Sequence, residues 1–215
     1  MNEQHRLDQA IQKLNGASTS DGVIQATHQL AALRNPDAAD VLMTVLGFNN
    51  PGAAVVAMNG LIALGPSGVP TILSRLDPQN YGARAWAVRA LAAIRDVRGL
   101  EVLEEALVHD FSASVRRAAA RGLGELNLSE NPLEAGQQLE RCLKVLIRSC
   151  TDDEWVVRYA LIFSLERRML DDPEPTSRPL QAQALKALKT FASGAETVNV
   201  VRQRAQLALQ RLQIQ

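Results

Sequence analysis

The chain has 215 residues, enough for one good-sized domain and too few for two large ones. Its 23 Lys and Arg balance 23 Asp and Glu, so the net charge is zero, which argues against a protein that grips nucleic acid mainly through phosphates. Alanine (31) and leucine (30) exceed a quarter of the residues while aromatics make up 4%, a mix that favours helices over a β-sandwich or barrel.

Hydropathy predicts no stretch approaching ~18 apolar residues without a charge, and hence no membrane-spanning helix. The polar segment Met1–Gln12 lacks the apolar core of a signal peptide, and a first short helix is predicted around Asp8–Leu14. Six further helices then repeat one pattern, beginning at Val23, Ala54, Arg84, Arg116, Arg158 and Arg202. Three residues on stand Ala26, Ala57, Ala87, Ala119, Leu161 and Ala205; seven on stand Leu30, Leu61, Leu91, Leu123, Leu165 and Leu209. Ten on stand Leu33, Leu64, Ile94, Leu126, Arg168 and Leu212, aliphatic in all but Arg168. These positions share one helical face, and the alanines allow close helix approach. The starts are 31, 30, 32, 42 and 44 residues apart.

Five of these helices follow a partner with its own apolar period: Ala38–Leu46, Val69–Leu76, Leu100–Val108, Leu139–Ile147 and Pro179–Phe191. Asn35-Pro36, Asn50-Pro51, Gly65-Pro66, Asp77-Pro78 and Asn131-Pro132 punctuate the joints. Insertions at Asn127–Gly136 and Asp171–Pro179 read as surface loops. The expectation is an all-α chain, residues 1–215 forming a single domain of about five antiparallel helix pairs stacked as an α-solenoid behind a short N-terminal helix. Asp110, Asp152 and Glu196 precede Arg116, Arg158 and Arg202 by six residues. Each acid falls in the turn before a repeat helix, where it can cap that helix and meet an arginine, giving the ladder typical of HEAT-like repeats.

No catalytic constellation emerges. His5, His28 and His109 lie far apart, without a Cys or carboxylate at metal-ligand spacing. Cys142 and Cys150, eight apart on one predicted helix, would be roughly 12 Å apart, too far for a disulfide, which points to a reducing compartment. Gly122-Leu123-Gly124 lies within a helix period and follows no strand, so it is no phosphate loop. The notable segment is Tyr81–Arg121, with seven arginines, no lysine and five acids. Trp86 and Arg89 share a helix face, as do Arg117 and Arg121 on the next repeat helix. Stacked repeats would set these two pairs side by side, a patch for a flat, conjugated dianion, with aromatic faces for its plane and guanidinium forks for its carboxylates. The alternative is that Trp86 fills the core and the arginines form a solvated face. Trp155 reads as a packing residue, and Tyr159, in the slot of Arg117, extends the same surface.

The strings Asn80-Tyr81-Gly82-Ala83-Arg84-Ala85-Trp86-Ala87-Val88-Arg89-Ala90 and Asp110-Phe111-Ser112-Ala113-Ser114-Val115-Arg116-Arg117-Ala118-Ala119 resemble the HEAT-like repeats of the phycobilisome lyase E/F family. In that family an E-type and an F-type chain form a heterodimer that attaches phycocyanobilin to a cysteine of the phycocyanin α subunit, and the length here resembles the F-type (β) chain. The resemblance implies a bilin lyase subunit that works with an E-type partner in the cytoplasm, with phycocyanobilin as substrate, no cofactor of its own, no metal, no nucleic acid and no membrane. It implies bilin contacts at Tyr81, Arg84, Trp86, Arg89, Arg117 and Arg121, with Asp110 a candidate for the ring nitrogens in competition with its place in the ladder. An F-type relative that also isomerises the bilin carries a His-Cys pair; this sequence has none, which implies attachment alone. Two rivals share the repeats: a non-catalytic adaptor binding phycobiliproteins or bilins, and a general HEAT-like scaffold. A damaged-DNA reader would need a basic groove, which the charge argues against.

Overall fold

A computed structural model describes residues 2–77, 79–171 and 178–213. Among them are twelve α-helices: α1 (Glu3–Asn15), α2 (Ser20–Ala32), α3 (Ala39–Leu46), α4 (Pro51–Leu64), α5 (Val69–Ser74), α6 (Tyr81–Ile94), α7 (Leu100–His109), α8 (Ala113–Glu125), α9 (Pro132–Arg148), α10 (Trp155–Leu170), α11 (Arg178–Ala192) and α12 (Asn199–Arg211). The chain is all-α, of the HEAT-like solenoid class. The predicted repeat helices are α2, α4, α6, α8, α10 and α12. The N-terminal helix is longer than expected and packs on α2 as the first member of a further pair.

The chain divides into two compact units, Met1–Ile94 and Arg95–Gln215. In the first, α4 packs between α2 and α6, with α3 against α4 and α6. In the second, α10 packs between α8 and α12, while α9 touches both α7 and α11, giving an inner and an outer layer. The repeat slots form the cores of both units. All six residues of the third slot are buried, as are five of the six leucines of the seventh. Each such leucine contributes about 1.5–3 kcal/mol relative to exposure.

The Asn-Pro joints work as helix starts, proline at the first position where its missing N–H costs nothing. Asn50 Oδ1 accepts Ala53 N–H at 3.1 Å, and Asn131 Oδ1 accepts the N–H groups of Leu133 and Glu134. That cap corrects the expected loop at 127–136: residues 132–136 are the first turn of α9, begun by Asn131, Pro132 and an acid at Glu134. The other expected loop falls mostly outside the described residues, and its Arg178 and Pro179 already belong to α11.

The hydropathy reading also needs correction. Pro51–Ser74 carries no charged residue and is predominantly apolar. It is no single helix: Gly65, at φ +61, ends α4, and a one-turn 3-10 helix at Gly65–Gly68 precedes α5. The 14 residues of α4 reach about 21 Å, short of the ~30 Å of a bilayer core.

Candidate functional site

The ladder is built as a set of turn clamps in the second unit. Arg116 forks onto the carboxylate of Asp152 (2.7 and 3.0 Å), and its Nη1 donates to the carbonyls of Asp110 and Phe111. Arg158 repeats this one step on, forking onto Glu196 (2.8 and 3.0 Å) and donating to the carbonyls of Asp152 and Asp153. Arg202 donates to the carbonyl of Glu196 and to Asn199. Arg116 and Arg158 thus close their own turns and grip the acid of the next repeat, while Arg202, in the last repeat, closes its own turn. The acids accept the backbone N–H two residues on, in Asx-type turns at Asp110 and Asp152 and a similar turn at Glu196. Arg158 holds the Glu196 carboxyl below the usual carboxylate range, against the opposing effect of burial. Asp110 is buried in this arrangement.

Of the predicted bilin contacts, four lie on α6 in the first unit. Arg89 stacks over the ring of Trp86 at 4.9 Å and donates from Nη1 to the Ala85 carbonyl; Arg84 lies over Tyr81 at 5.8 Å. All four side chains are half-buried, so Trp86 is neither a core filler nor fully free. The other three, Asp110, Arg117 and Arg121, belong to the second unit. Arg117 is exposed, whereas Arg121 turns onto α10, with its guanidinium 3.9 Å from the ring centroid of Phe163. Trp155, read as a packing residue, is 45% exposed at the start of α10, and Phe111 is 75% exposed in the turn before α8. Tyr159 is half-buried.

At the C-terminal ends of α8, α10 and α12 lies a cleft of about 340 Å³ that sequence reasoning did not find. Phe163, Arg95, Arg167 and Arg211 line it, with Glu125, Glu166 and Asp171 between them. Beneath it Arg168, 2% exposed, donates to the carbonyls of Leu123 and Leu126 at 2.8 Å, closing the last turn of α8. Burial pulls its pKa down. Arg168 was the one break in an otherwise aliphatic slot, and this staple is its physical reason. Two further signals were available. Arg95 stands at φ +63 in the slot filled by Gly65 in the preceding repeat, and the slot five residues after each repeat start reads Arg89, Arg121 and Phe163 in succession.

Gly122 and Gly124 are both buried in α8, and Gly124 is a packing glycine. A Cβ on Gly124 would meet Ser164 of α10 at 2.5 Å, and Ser164 Oγ donates to the Ala120 carbonyl. Both cysteines are free thiols; Cys142 lies in α9, while Cys150 falls in the 3-10 turn Ser149–Thr151 beyond it. Burial pushes Cys142 up to about 11 and Cys150 to about 12, so neither supplies a thiolate at neutral pH. Among the described residues no group of three His, Cys, Asp or Glu side chains is placed to hold a metal ion.

The family model for HEAT repeats matches residues 49–124, 69–166 and 101–210. The chain is similar to the bilin biosynthesis protein RpcF of Synechococcus sp. (strain WH8020), 49% identical over 99% of both chains. It is 47% identical to the phycocyanin alpha phycocyanobilin lyase CpcF of Synechocystis sp. (strain ATCC 27184 / PCC 6803 / Kazusa), over 76% of each. Among solved structures, the complex of CpcE and CpcF of phycocyanin lyase from Nostoc sp. PCC7120 matches with a TM-score of 0.69 and 40% identity, covering 81% of this chain and 99% of that one. With clamped HEAT repeats along the second unit and full-length identity of this order, the chain belongs to the phycobilisome lyase family, on its F-type (β subunit) branch.

Proposed function

We propose that this chain is the β subunit of a heterodimeric lyase that joins phycocyanobilin to a cysteine of the phycocyanin α subunit. The observation that carries this reading is the match, at 40% identity, to the CpcE–CpcF complex of phycocyanin lyase. An E-type chain is therefore the expected partner, the cytoplasm the expected place, and phycocyanobilin a substrate in transit and no resident cofactor.

The reaction asks for placement. The acceptor's thiolate attacks the ethylidene carbon on the bilin A ring, forming one C–S bond as the exocyclic double bond opens. The proton given up by the thiol ends on the ring system, and nothing leaves. A protein that holds the bilin extended and aligns that carbon with the incoming sulfur lowers the barrier by positioning. Cys142 is buried and Cys150 half-buried with its thiol on the Leu146 carbonyl, and both stay protonated at neutral pH, which keeps this chain's own sulfur out of that reaction. The stacked pairs Trp86–Arg89 and Tyr81–Arg84 give a conjugated, carboxylate-bearing ligand both a face and a fork, and Arg117 and Arg121 are further candidates. Asp110, buried and engaged in its turn, remains the proposed partner of the ring nitrogens only if that turn opens. Without a His-Cys pair, the product carries the bilin unisomerised.

Reconstitution tests this: the chain, an E-type partner, phycocyanobilin and apo-phycocyanin α subunit, read by absorbance and by zinc staining of a denaturing gel. A covalent adduct requiring both chains is the expected result. Binding without an adduct would make the chain an adaptor, and no binding at all would leave a scaffold. In the same assay Arg89→Ala and Trp86→Ala should each slow transfer about tenfold or more with helix content intact. Transfer at the wild-type rate by either variant would remove that residue from the site.

A further inference from the structure

The cleft at the ends of α8, α10 and α12 has an unusual charge balance. Among the described residues, Arg95, Arg167 and Arg211 line it with Glu125, Glu166 and Asp171, and Arg121, Arg168 and Arg204 stand behind them, so that each carboxylate is shared by two arginines. Glu125 serves Arg95 (3.2 Å) and Arg121 (3.8 Å). Glu166 serves Arg211 (3.3 Å) and Arg204. Asp171 serves Arg167 (3.3 Å) and Arg168 (3.9 Å). The converging C-terminal helix ends offset roughly half a charge each, so the described residues carry a surplus of about one to two positive charges. In a chain of zero net charge this is a local concentration, and it calls for an anion of matching charge.

Three details sharpen the demand. Arg204 is buried behind the lining, and among the described residues its Nη1 has no hydrogen-bond acceptor, so that part of its charge is left to the cleft's field. Phe163 has Arg121 at 3.9 Å and Arg204 at 5.6 Å from its ring centroid, so cations and an aromatic face meet at the cleft. Arg95 carries a left-handed backbone at φ +63, where glycine would be the unstrained choice, and its guanidinium lines the cleft.

We propose that this cleft is a carboxylate subsite that takes a propionate arm of the open-chain tetrapyrrole, with Arg95, Arg167 and Arg211 as the mobile forks and Phe163 as the floor. The inference rests on the bilin reading above and adds to it a location distinct from the α6 stacks. The cleft, at about 340 Å³, sits at the small end of the ~300–1,000 Å³ range of ligand pockets, so it accepts a carboxylate-bearing arm and leaves the rest of the chromophore outside.

The test compares phycocyanobilin with its dimethyl ester, titrated by absorbance against the full chain in complex with its E-type partner. Wild type should bind the free acid more tightly than the ester, each charge-assisted fork being worth roughly tenfold. In the double variant Arg95→Gln, Arg211→Gln that preference should fall about tenfold, to what the α6 arginines supply, with far-UV circular dichroism and melting unchanged. Arg141→Gln, which breaks an exposed pair with Glu104 away from the cleft, should leave it at the wild-type value. Equal binding of acid and ester by wild type, or an undiminished preference in the double variant, overturns the subsite and leaves the bilin reading standing. Failure of the wild-type complex to bind either form overturns the bilin reading, and the subsite with it.

Discussion

Gly124→Ala is the substitution whose outcome most directly tests how α8 and α10 fit together. A Cβ built on Gly124 lies 2.5 Å from Ser164 Cβ and Oγ and 2.7 Å from Ser164 Cα. Non-bonded carbons prefer about 3.5–4.0 Å, so the two helices must part by about 1 Å. Overpacking of that kind costs about 1–3 kcal/mol, towards the upper end here because one of the opposing atoms is backbone. The same displacement stretches three 2.8 Å bonds: Ser164 Oγ to Ala120 O, and Arg168 to the carbonyls of Leu123 and Leu126. Weakening them adds about 1–2 kcal/mol, since Arg168 is buried and has few other acceptors. Alanine's better helix propensity returns at most ~1 kcal/mol.

The net expectation is a loss of about 2–4 kcal/mol, or roughly 5–15 °C in melting temperature. Thermal melts followed by far-UV circular dichroism would measure it. Gly82→Ala is the control, because the nearest atom to a Cβ there is 3.9 Å away; its melting temperature should be unchanged or slightly raised. If Gly124→Ala melts at or above wild type, the close helix approach described here is wrong, together with the account of Gly124 as a packing glycine.

Two other outcomes follow from the ladder and the thiols. Arg158→Ala removes the fork on Glu196 and two carbonyl bonds and strands a nearly buried carboxylate, so denaturant melts at neutral pH should show a loss of about 2–4 kcal/mol. Because the Glu196 pKa is lowered in the folded state, this stabilisation is complete above the unfolded value of about 4.3 and fades as pH falls through the folded one; the gap between wild type and variant should therefore narrow below about pH 4, and parallel curves would contradict it. Cys142 and Cys150, raised to about 11 and 12 by burial, should resist a thiol-reactive disulfide reagent at about pH 8 in the native protein and react fully in denaturant. Stoichiometric labelling of the native protein within minutes would show that the thiols are accessible.

What was legible in the sequence was whatever obeyed the repeat. The third and seventh slots announced the core because burial demands the same residue type each time a repeat helix meets its neighbours, and the Asn-Pro joints announced helix starts because both capping and proline geometry act locally. The acid six residues before each arginine announced the clamps, though not which acid each arginine takes; the fork reaches 36 residues ahead from Arg116 to Asp152, a pairing set by stacking. The first turn of α9 was missed because Asn127, Ser129, Asn131, Pro132 and Gly136 give the segment a loop composition, and the Asn131 cap outweighed it. Trp155 was misjudged because an aromatic at a helix start reads as packing, whereas in the first turn of α10 it is Val157 that is buried and Trp155 that is left 45% exposed.

The cleft shows the complementary rule. Its residues occupy slots that vary from repeat to repeat, so no periodicity marks them: Phe163 stands in the fifth slot, where the preceding repeat has Arg121, and the ninth slot changes from Glu125 to Arg167. A repeat protein keeps constant what stacks and varies what faces a ligand, so function should be sought at slots where neighbouring repeats disagree. Arg168 is the instructive case because it breaks an aliphatic slot yet touches no open space; it spends its charge on the carbonyls that end α8 and so holds in place the helix end carrying Glu125. A departure from the repeat therefore marks either a ligand contact or the support beneath one. Burial separates them: Arg168 is enclosed, while Arg95, Arg167 and Arg211 each keep about half of the side chain in solvent, free to turn toward an incoming carboxylate.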